Sequence, residues 1–260
     1  MAEPPFRPGA DAPAWEHAHD GLVGALDGTT LLITGASRGL GRALAEGAAR
    51  AGASLALCAR GDDELQESAA ACRRAGADVL AVAADVADPR DVQRLVAEAL
   101  DRFHVVDVLV NNASALGPTP LPYLADAEPE ALAEVIQTNV VGPLRLTQAL
   151  IGGMLLRGRG LIVNISSDAA VTGYPGWGVY GASKAALDAL TRSWAAELQG
   201  TGVRIVSVDP GDMDTAMHRA ADPDADPSQL ARPADVAARI LTLLVGGVPA
   251  VDRLEAASLS

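Results

Sequence analysis

The chain has 260 residues, of which 49% are hydrophobic, and its formal net charge at pH 7 is −13. This length suffices for the core of one large domain or two small ones. Because 33 acidic residues outnumber 20 scattered basic residues, we expect neither nucleic acid nor an anionic membrane surface as a partner. No uninterrupted apolar run reaches the roughly 18 residues of a membrane span, so we expect a cytoplasmic protein.

The first 27 residues predict a tail that is mobile or loosely docked. They are rich in Pro and Ala and lack the basic and apolar regions of a signal peptide. His17 and His19 stand there without further ligand residues, so we predict no metal site. Cys58 and Cys72 lack metal-ligand spacing, which suits free thiols in a reducing compartment.

From residue 28 to residue 260 the pattern predicts a single domain in which strands and helices alternate. Nearly continuous apolar runs, typical of strands buried on both faces, occupy residues 29–34, 54–59, 78–84, 107–113, 160–166 and 203–208. Helical spacing of apolar residues follows them at 41–52, 63–76, 89–103, 129–156 and 178–202. A further helix over 233–244 and a terminal run at 248–256 would extend the sheet. This alternation predicts a doubly wound α/β fold with a parallel sheet and right-handed crossovers.

The loop after the first strand, TGASRGLG, leads directly into a helix and contains Gly35, Gly39 and Gly41. Glycines permit a tight turn, close approach of the backbone to a pyrophosphate, and packing of the helix on the strand. The amino terminus of the helix attracts negative charge. The position of this loop between strand and helix predicts a dinucleotide site.

The end of the second strand bears on the choice between NAD and NADP. An acidic residue there would bind the ribose hydroxyls of NAD, whereas arginines would neutralise the extra phosphate of NADP. Ala59 stands at the acid's position, Arg60 follows it, and Arg38 lies in the glycine loop. Both arginines could simply be surface residues, but two guanidinium groups could also converge on one phosphate. The pattern favours NADP(H).

Tyr180 and Lys184 stand four residues apart in a helical segment and therefore share a face. A phenol ordinarily titrates near ~10, and we expect the neighbouring ammonium to lower its pKa. A chance pair on a solvated helix is the alternative.

Five motifs, TGASRGLG, NNAS (111–114), NISS (164–167), YGASK (180–184) and DPG (209–211), occur in the order and at about the spacing of the short-chain dehydrogenase/reductase family. The chain resembles this family from about residue 28 to about residue 250. The resemblance implies a Rossmann fold with about seven parallel strands and helices on both faces. It also implies hydride transfer between a nicotinamide cofactor and a carbonyl or alcohol.

The resemblance implies a catalytic set that consists of Asn139, Ser167, Tyr180 and Lys184. Tyr180 would exchange a proton with the substrate oxygen, the Ser167 hydroxyl would hydrogen-bond the same oxygen, and Lys184 would hold the nicotinamide ribose. Asn139 would anchor a water leading from the lysine, or would bond a neighbouring helix carbonyl. Alternation along the strand should point Ser166 to the other face.

The resemblance also implies cofactor-binding residues, and these are Gly35, Ser37, Arg38, Gly39, Leu40, Gly41, Arg60, Asp85, Val86, Asn111, Ala113, Tyr180, Lys184, Pro210, Gly211, Met213 and Thr215. Asp85 could instead cap the segment that follows it. The substrate pocket would lie between residues 114–124, residues 168–178 and a lid over about 211–232. Its predicted residues are Leu116, Asp168, Tyr174, Trp177 and Met217, with Met213 and His218 beside them. This mostly apolar set favours a neutral ketone or aldehyde as the substrate.

Three features depart from the family pattern. Ser114 stands where the family usually has glycine, and it would narrow the loop or add a hydroxyl near the cofactor. Asp168 could face the substrate, but we favour solvent because an unpaired buried carboxylate is costly. The ending VDRLEAASLS lacks the acid-glycine-glycine closure that is common in the family. A tetramer contact at the last strand is therefore in doubt, and we expect a homodimer or homotetramer, with helices 128–157 and 176–199 as a dimer surface.

We expect an NADPH-dependent carbonyl reductase because the catalytic set is intact. The alternatives are an NAD-linked alcohol dehydrogenase that works oxidatively and a cofactor-binding sensor or scaffold without turnover, since a fold alone never proves activity.

Overall fold

The computed structural model describes residues 22–246 and 252–259. Seven parallel strands form one sheet in these parts of the chain, in the order β3-β2-β1-β4-β5-β6-β7. The strands are β1 (Thr30–Thr34), β2 (Ser54–Ala59), β3 (Val79–Ala83), β4 (Val108–Asn111), β5 (Gly160–Ile165), β6 (Val203–Asp209) and β7 (Arg253–Glu255). The predicted seven-stranded, doubly wound fold is confirmed. Strand order reverses between β1 and β4, which pair directly, and ligands of such sheets bind at this point.

Helices cover both faces of the sheet. One face carries α1 (Gly39–Arg50), α2 (Asp62–Arg74) and α8 (Pro233–Gly246), and the other carries α3 (Pro89–Phe103), α5 (Gly142–Arg157) and α6 (Gly178–Glu197). Two shorter helices, α4 (Pro129–Ile136) and α7 (Ala216–Ala221), lie in the connections after β4 and β6.

Each central strand contributes to two cores. Leu31 and Ile33 of β1 belong to the core beneath α1, α2 and α8, whereas Leu32 belongs to the core beneath α3 and α5. All three side chains are at most 1% exposed. This double burial is the reason why the strands read as continuous apolar runs instead of alternating ones.

The helix predicted over 129–156 is interrupted. α4 ends at Ile136, the segment Gln137–Val141 forms a wide π-helical turn, and α5 begins at Gly142. Gly142 packs closely on β3's following loop, since a Cβ there would lie 2.9 Å from the carbonyl oxygen of Val86. The wide turn directs Asn139, which is 1% exposed, into the protein. Such turns often occur at functional sites.

The last residues of the predicted tail dock on the domain. Leu26 is 3% exposed, and its N–H donates to the carbonyl oxygen of Ala51 at 2.9 Å. Leu22 is also buried in the core beside α1. These two leucines, which lie one helical turn apart, thus pack on an apolar surface at the end of α1. The rest of the predicted tail, residues 1–21, lies outside the described residues.

The predicted lid over 211–232 contains α7 and a short 3-10 turn, Pro227–Gln229. A parallel bridge between Met213 and Ala231 joins the two ends of this segment. The terminal run does extend the sheet, because β7 pairs with β6 at Val208 and Leu254. Residues 247–251, which include the start of that run, are outside the described residues. In the parts of the chain that the structure describes, no helix combines the length and hydropathy needed to cross a membrane.

Candidate active site

A cavity of about 750 Å³ lies at the carboxyl ends of the strands. It brings together most of the residues predicted from the sequence to bind the cofactor, together with one predicted substrate residue. These are Gly35, Ser37, Arg38, Gly39, Leu40, Arg60, Asp85, Val86, Ala113, Tyr180, Lys184, Pro210, Met213, Thr215 and Met217. The cavity therefore extends from the glycine loop to the Tyr180–Lys184 pair, the span that a dinucleotide site requires.

The glycine loop needs its glycines for two different reasons. Gly35 and Gly39 have φ values of 64° and 55°, the left-handed region that favours glycine. Gly41 does not line the cavity but packs the helix on the strand, since a Cβ there would lie 2.2 Å from the carbonyl oxygen of Gly35. The first turn of α1 carries no acidic residue, so its amino terminus suits an anionic group.

Arg38 and Arg60 both line the cavity and are exposed. Ala59, the last residue of β2, directly precedes Arg60, is 8% exposed, and also lines the cavity. Neither arginine forms an ion pair with another residue in the described part of the chain. Their guanidinium groups are thus available to a phosphate.

Tyr180 and Lys184 project from α6 and are 8% and 2% exposed. The Lys184 Nζ donates to the carbonyl oxygen of Ile165 at 2.8 Å and lies 5.5 Å from the centroid of the Tyr180 ring. Trp177 packs edge-on against Tyr180, with ring centroids 5.7 Å apart. The pair is a packed, buried feature of the site, and the interpretation as a chance pair on a solvated helix is wrong.

The electrostatics of this pair differ from the prediction. Burial raises the pKa of Tyr180 to about 12, hydrogen bonds with Ser114 and Ser167 act to lower it, and Asp209 acts to raise it. Burial also lowers the pKa of Lys184 to about 8, against the charge of Asp188. Lys184 does not lower the pKa of Tyr180 as predicted, because burial is the largest influence on the phenol and the ammonium donates to Ile165.

Asp168 is hydrogen-bonded to Ser167, the serine predicted to be catalytic. Its Oδ1 accepts from the Ser167 Oγ at 3.0 Å, and its Oδ2 accepts from the Tyr174 hydroxyl at 2.6 Å. Burial acts to raise the pKa of Asp168, but these hydrogen bonds outweigh it and hold the pKa below its ordinary value. The favoured interpretation, a carboxylate turned to solvent, is therefore wrong: Asp168 is half-buried and partnered.

Asn139 anchors the loop after β4. Its Oδ1 accepts from the N–H of Ala115 at 2.7 Å and from the Ser114 Oγ at 3.2 Å. Its Nδ2 donates to the carbonyl oxygen of Ala115 at 2.8 Å and to the Ser183 Oγ at 2.9 Å. The side chain thus ties the wide turn to the loop and to α6, and it bonds neither a carbonyl of its own helix nor Lys184 directly.

Three residues predicted to bind the cofactor do not line the cavity, and Gly41 is one of them. Asn111 donates to the Asn164 Oδ1 at 2.8 Å inside the sheet, while the next residue, Asn112, lines the cavity instead. Gly211, with φ 70°, donates its N–H to the Asp209 Oδ1 at 3.0 Å and shapes the start of the lid. Asp85 lines the cavity, as predicted for a cofactor-binding residue, and its Oδ1 also accepts from the N–H of Ala87 at 2.9 Å, as predicted for a cap.

The other residues predicted for the substrate pocket, Leu116, Asp168, Tyr174 and Trp177, do not line the cavity. Leu116 packs against Tyr180 with Trp177 next to it, and Tyr174 and Met217 are 42% and 37% exposed. His218 is near Asp212, with 3.7 Å between the Nδ1 and Oδ1 atoms. Leu116 and Trp177 thus form an apolar cluster against Tyr180, beside the cavity that Met217 lines.

Two serines of the site lie outside the predicted residue sets. Ser114, noted in the sequence as a departure from the family's glycine, lines the cavity and acts to lower the pKa of Tyr180 through a hydrogen bond. Ser166 lines the cavity, and its buried Oγ has no partner among the described residues. The alternation of side chains along a strand, which predicted the opposite face for Ser166, does not extend to this residue because β5 ends at Ile165. An unpartnered buried hydroxyl is a group that a ligand would satisfy, so the residues present fit a dinucleotide.

Comparison with known proteins agrees with this geometry. The model of the short chain dehydrogenase family matches residues 29–226. The chain is 40% identical over 188 residues to 1-deoxy-11-beta-hydroxypentalenate dehydrogenase of Streptomyces exfoliatus, a match that covers 72% of this chain and 68% of that relative.

Two solved structures are similar over most of their length. A short chain dehydrogenase from Shigella flexneri complexed with NADP has a TM-score of 0.81 and 29% identity, and the match covers 90% of this chain and 98% of that one. An NAD+-bound xylitol dehydrogenase has a TM-score of 0.78 and 25% identity, over 88% and 98% of the two chains.

The chain therefore belongs to the short-chain dehydrogenase/reductase family. It is an oxidoreductase that acts on hydroxyl or keto groups, and the predicted enzyme class is confirmed. Members of this family use a nicotinamide cofactor, which fits the cavity described above. In the described residues, no group of three or more His, Cys, Asp or Glu side chains could hold a metal ion.

Proposed function

We propose that this chain is an NADPH-dependent reductase of ketones or aldehydes, with Tyr180 as the proton donor. The observation that carries the proposal is the single cavity that has Arg38 and Arg60 at one end and the buried Tyr180–Lys184 pair at the other. When bound, the nicotinamide cofactor supplies the hydride for the carbonyl carbon. The remaining steps belong to the side chains of this protein.

Tyr180 holds its proton at neutral pH, because burial raises its pKa to about 12. As negative charge develops on the substrate oxygen, the phenol gives up this proton to it. The Ser167 hydroxyl rotates from Asp168 to donate to the same oxygen and stabilises the charge that develops on it.

Lys184 has three N–H donors, of which one is taken by the carbonyl oxygen of Ile165. The others are free to hold the hydroxyls of the nicotinamide ribose. Arg38 and Arg60 would bind the phosphate on the adenosine ribose of NADPH, since charge-assisted hydrogen bonds from guanidinium groups suit a phosphate.

The apolar cluster around Tyr180 supports a neutral substrate. Leu116 and Trp177 pack against the phenol and offer no charged group to a phosphorylated or carboxylated substrate. Asp168 adds a negative charge next to Ser167, which would repel an anionic substituent close to the carbonyl. We therefore propose an uncharged ketone or aldehyde with apolar substituents.

We also propose a homodimer or homotetramer built through the helices α5 and α6. Leu155 and Leu156 of α5 are 42% and 91% exposed, and a partner helix would bury this apolar surface. Light scattering of the wild type and of Leu156→Glu checks this, since the charge should reduce the assembly to smaller species. The same mass for the wild type and for Leu156→Glu would overturn the proposed interface.

The test of the proposed function measures NADPH and NADH consumption against a panel of ketones, aldehydes and diketones, with Tyr180→Phe as the blank. We expect turnover with NADPH that the variant lacks. Equal turnover in the variant would remove the proton donor. A preference for NADH would instead favour an NAD-linked alcohol dehydrogenase, and cofactor binding without turnover on any substrate would favour a sensor or scaffold.

A further inference from the structure

Arg253, on the edge strand β7, reaches back to the catalytic serine. Its Nη2 donates to the carbonyl oxygen of Ser167 at 3.1 Å and to the Asp209 Oδ2 at 3.0 Å, and its Nε donates to the Asp188 Oδ2 at 3.2 Å. The side chain of Arg253 is 21% exposed, while those of Asp188 and Asp209 are 4% and 8% exposed. One guanidinium group therefore joins β5, β6, β7 and α6 directly beneath the reacting groups.

The two carboxylates have few other partners. The Oδ1 of Asp188 is buried without a hydrogen-bond partner in the described part of the chain, and the Oδ1 of Asp209 accepts from the N–H of Gly211. Asp188 lies one helical turn after Lys184 and favours its charged form, and Asp209 acts on Tyr180. Each carboxylate thus acts electrostatically on one of the two titrating groups of the active site.

We propose that Arg253 is a positioning residue for the Ser167–Tyr180–Lys184 set: it neutralises Asp188 and Asp209 and fixes the backbone of Ser167. This role rests on the proposed function, because it concerns the same reacting groups. The titratable and charged groups that surround the set are Asp168 after β5, Asp188 on α6, Asp209 at the end of β6 and Arg253 on β7.

The physical reason is the cost of an unpaired buried charge. Removal of one partner of a buried ion pair leaves the other charge without compensation. Without Arg253, the negative charges of Asp188 and Asp209 would act in full on the ammonium of Lys184 and the phenol of Tyr180. Both groups would then hold their protons more strongly.

Lys184 gives a readout that does not depend on turnover, because it is the only lysine in the sequence. Protein labelled with 13C in lysine gives a single Cε signal, whose pH titration reports the pKa of Lys184. We expect a midpoint near about 8 in the wild type and a midpoint higher by about one pH unit in Arg253→Met. The double variant Arg253→Met/Asp188→Asn should return the midpoint toward that of the wild type.

Arg157→Met is the matched control. Arg157 is also half-buried, and its Nη2 donates to a backbone carbonyl, that of Val106, at 2.9 Å, but it lies outside the site. Its loss should reduce stability without moving the titration of Lys184. A folded Arg253→Met with the titration curve of the wild type would overturn the proposal. If Arg253→Met does not fold, the same test is made without the orphaned charge of Asp188: the midpoint of Asp188→Asn should be lower than that of the double variant, and equal midpoints would overturn the proposal.

Kinetics supply the second arm once a substrate is known. In the direction of alcohol oxidation, Arg253→Met should have a kcat about tenfold lower at a given pH, because a phenol whose pKa is higher by one unit is ionised tenfold less. The KM for the cofactor should stay within about twofold. An active wild type with an unaffected Arg253→Met would overturn the role of Arg253 alone, whereas an inactive wild type would count against the proposed function alone.

Discussion

The ammonium of Lys184 lies 5.5 Å from the centroid of the Tyr180 ring but gives its hydrogen bond to the backbone of Ile165 at 2.8 Å. The two side chains share one buried face of α6, yet burial governs the pKa of each. It raises the pKa of Tyr180 to about 12 and lowers that of Lys184 to about 8. At neutral pH this arrangement keeps a proton on the phenol, which suits the reductive direction.

Substitution of Tyr180 by phenylalanine should abolish most turnover. The change removes only the hydroxyl that donates the proton, and loss of general acid catalysis costs ~10²- to 10⁴-fold in kcat. Steady-state NADPH oxidation with an active carbonyl substrate measures this effect.

Tyr123→Phe is the control for that substitution, because Tyr123 is 66% exposed and outside the cavity. Its kcat should match that of the wild type. Retention of more than about a tenth of the activity in Tyr180→Phe would contradict the assigned role.

Lys184 should make the stability of the protein depend on pH in the alkaline range. Its pKa is about 8 in the folded protein and 10.5 ordinarily, so between these values the unfolded state binds more protons than the folded state. The free energy of unfolding of the wild type, relative to Lys184→Met, should therefore rise with pH, by up to about 1.4 kcal/mol per pH unit.

Urea denaturation of both proteins at several pH values between about 7 and about 10 measures this difference. Other titrating groups occur in both proteins and cancel in the comparison. A difference that does not change with pH would show that burial leaves Lys184 unperturbed.

The two arginines beside the glycine loop should set the cofactor preference. Arg38→Ala or Arg60→Ala removes a charge-assisted hydrogen bond worth about 1.5 to 3 kcal/mol, which corresponds to a KM for NADPH raised about 10- to 100-fold. The KM for NADH should hardly change, because NADH lacks the extra phosphate. Steady-state kinetics with each cofactor gives both constants.

Arg74→Ala serves as the control, since Arg74 is exposed and lies outside the cavity. It should leave both KM values unchanged. An equal effect of Arg38→Ala on NADPH and NADH would mean that the arginine binds a group which the two cofactors share.

Gly41 should not tolerate a methyl group. A Cβ at this position would lie 2.2 Å from the carbonyl oxygen of Gly35 and 2.5 Å from the Asn112 Nδ2. Gly41→Ala should therefore move α1 away from β1, lower stability by about 1 to 3 kcal/mol and weaken NADPH binding. Thermal unfolding and quenching of NADPH fluorescence measure the two effects.

Gly152→Ala is the matched control, because nothing lies within 4 Å of a Cβ at this exposed position within α5. Alanine should raise helix stability there by up to about 1 kcal/mol. A Gly41→Ala protein as stable as Gly152→Ala would contradict the close packing of α1 on the glycine loop.

The elements predicted most accurately from the sequence were those that depend on local pattern. The continuous apolar runs located the strands, since a strand buried on both faces has no polar side to reveal. The glycine loop was located because φ values such as that of Gly39 are open mainly to glycine. The positions of Tyr180 and Lys184 followed from helical spacing.

The features that the sequence analysis missed depend on long-range packing. Arg253 meets Ser167 only because β7 closes the sheet beside β6, and no local pattern encodes that pairing. The pKa of Tyr180 was predicted in the wrong direction because helical spacing revealed the neighbouring charge but not the depth of burial. The hydrogen-bond partners of Asp168 could not be predicted from the sequence either, because a turn of the chain brings Tyr174 back to it.

The wide turn at Gln137–Val141 makes chain length, as well as side-chain identity, a requirement at Asn139. A π-helical turn holds one residue more than an α-helical turn, and successive residues of an α-helix are rotated by about 100°. Deletion of a single residue from this stretch would restore a regular helix and swing the amide away from Ala115 and Ser183. A protein shortened by one residue would thus lose the hydrogen bonds of Asn139 although the asparagine is still present. A protein in which Asn139 is replaced would lose the same bonds.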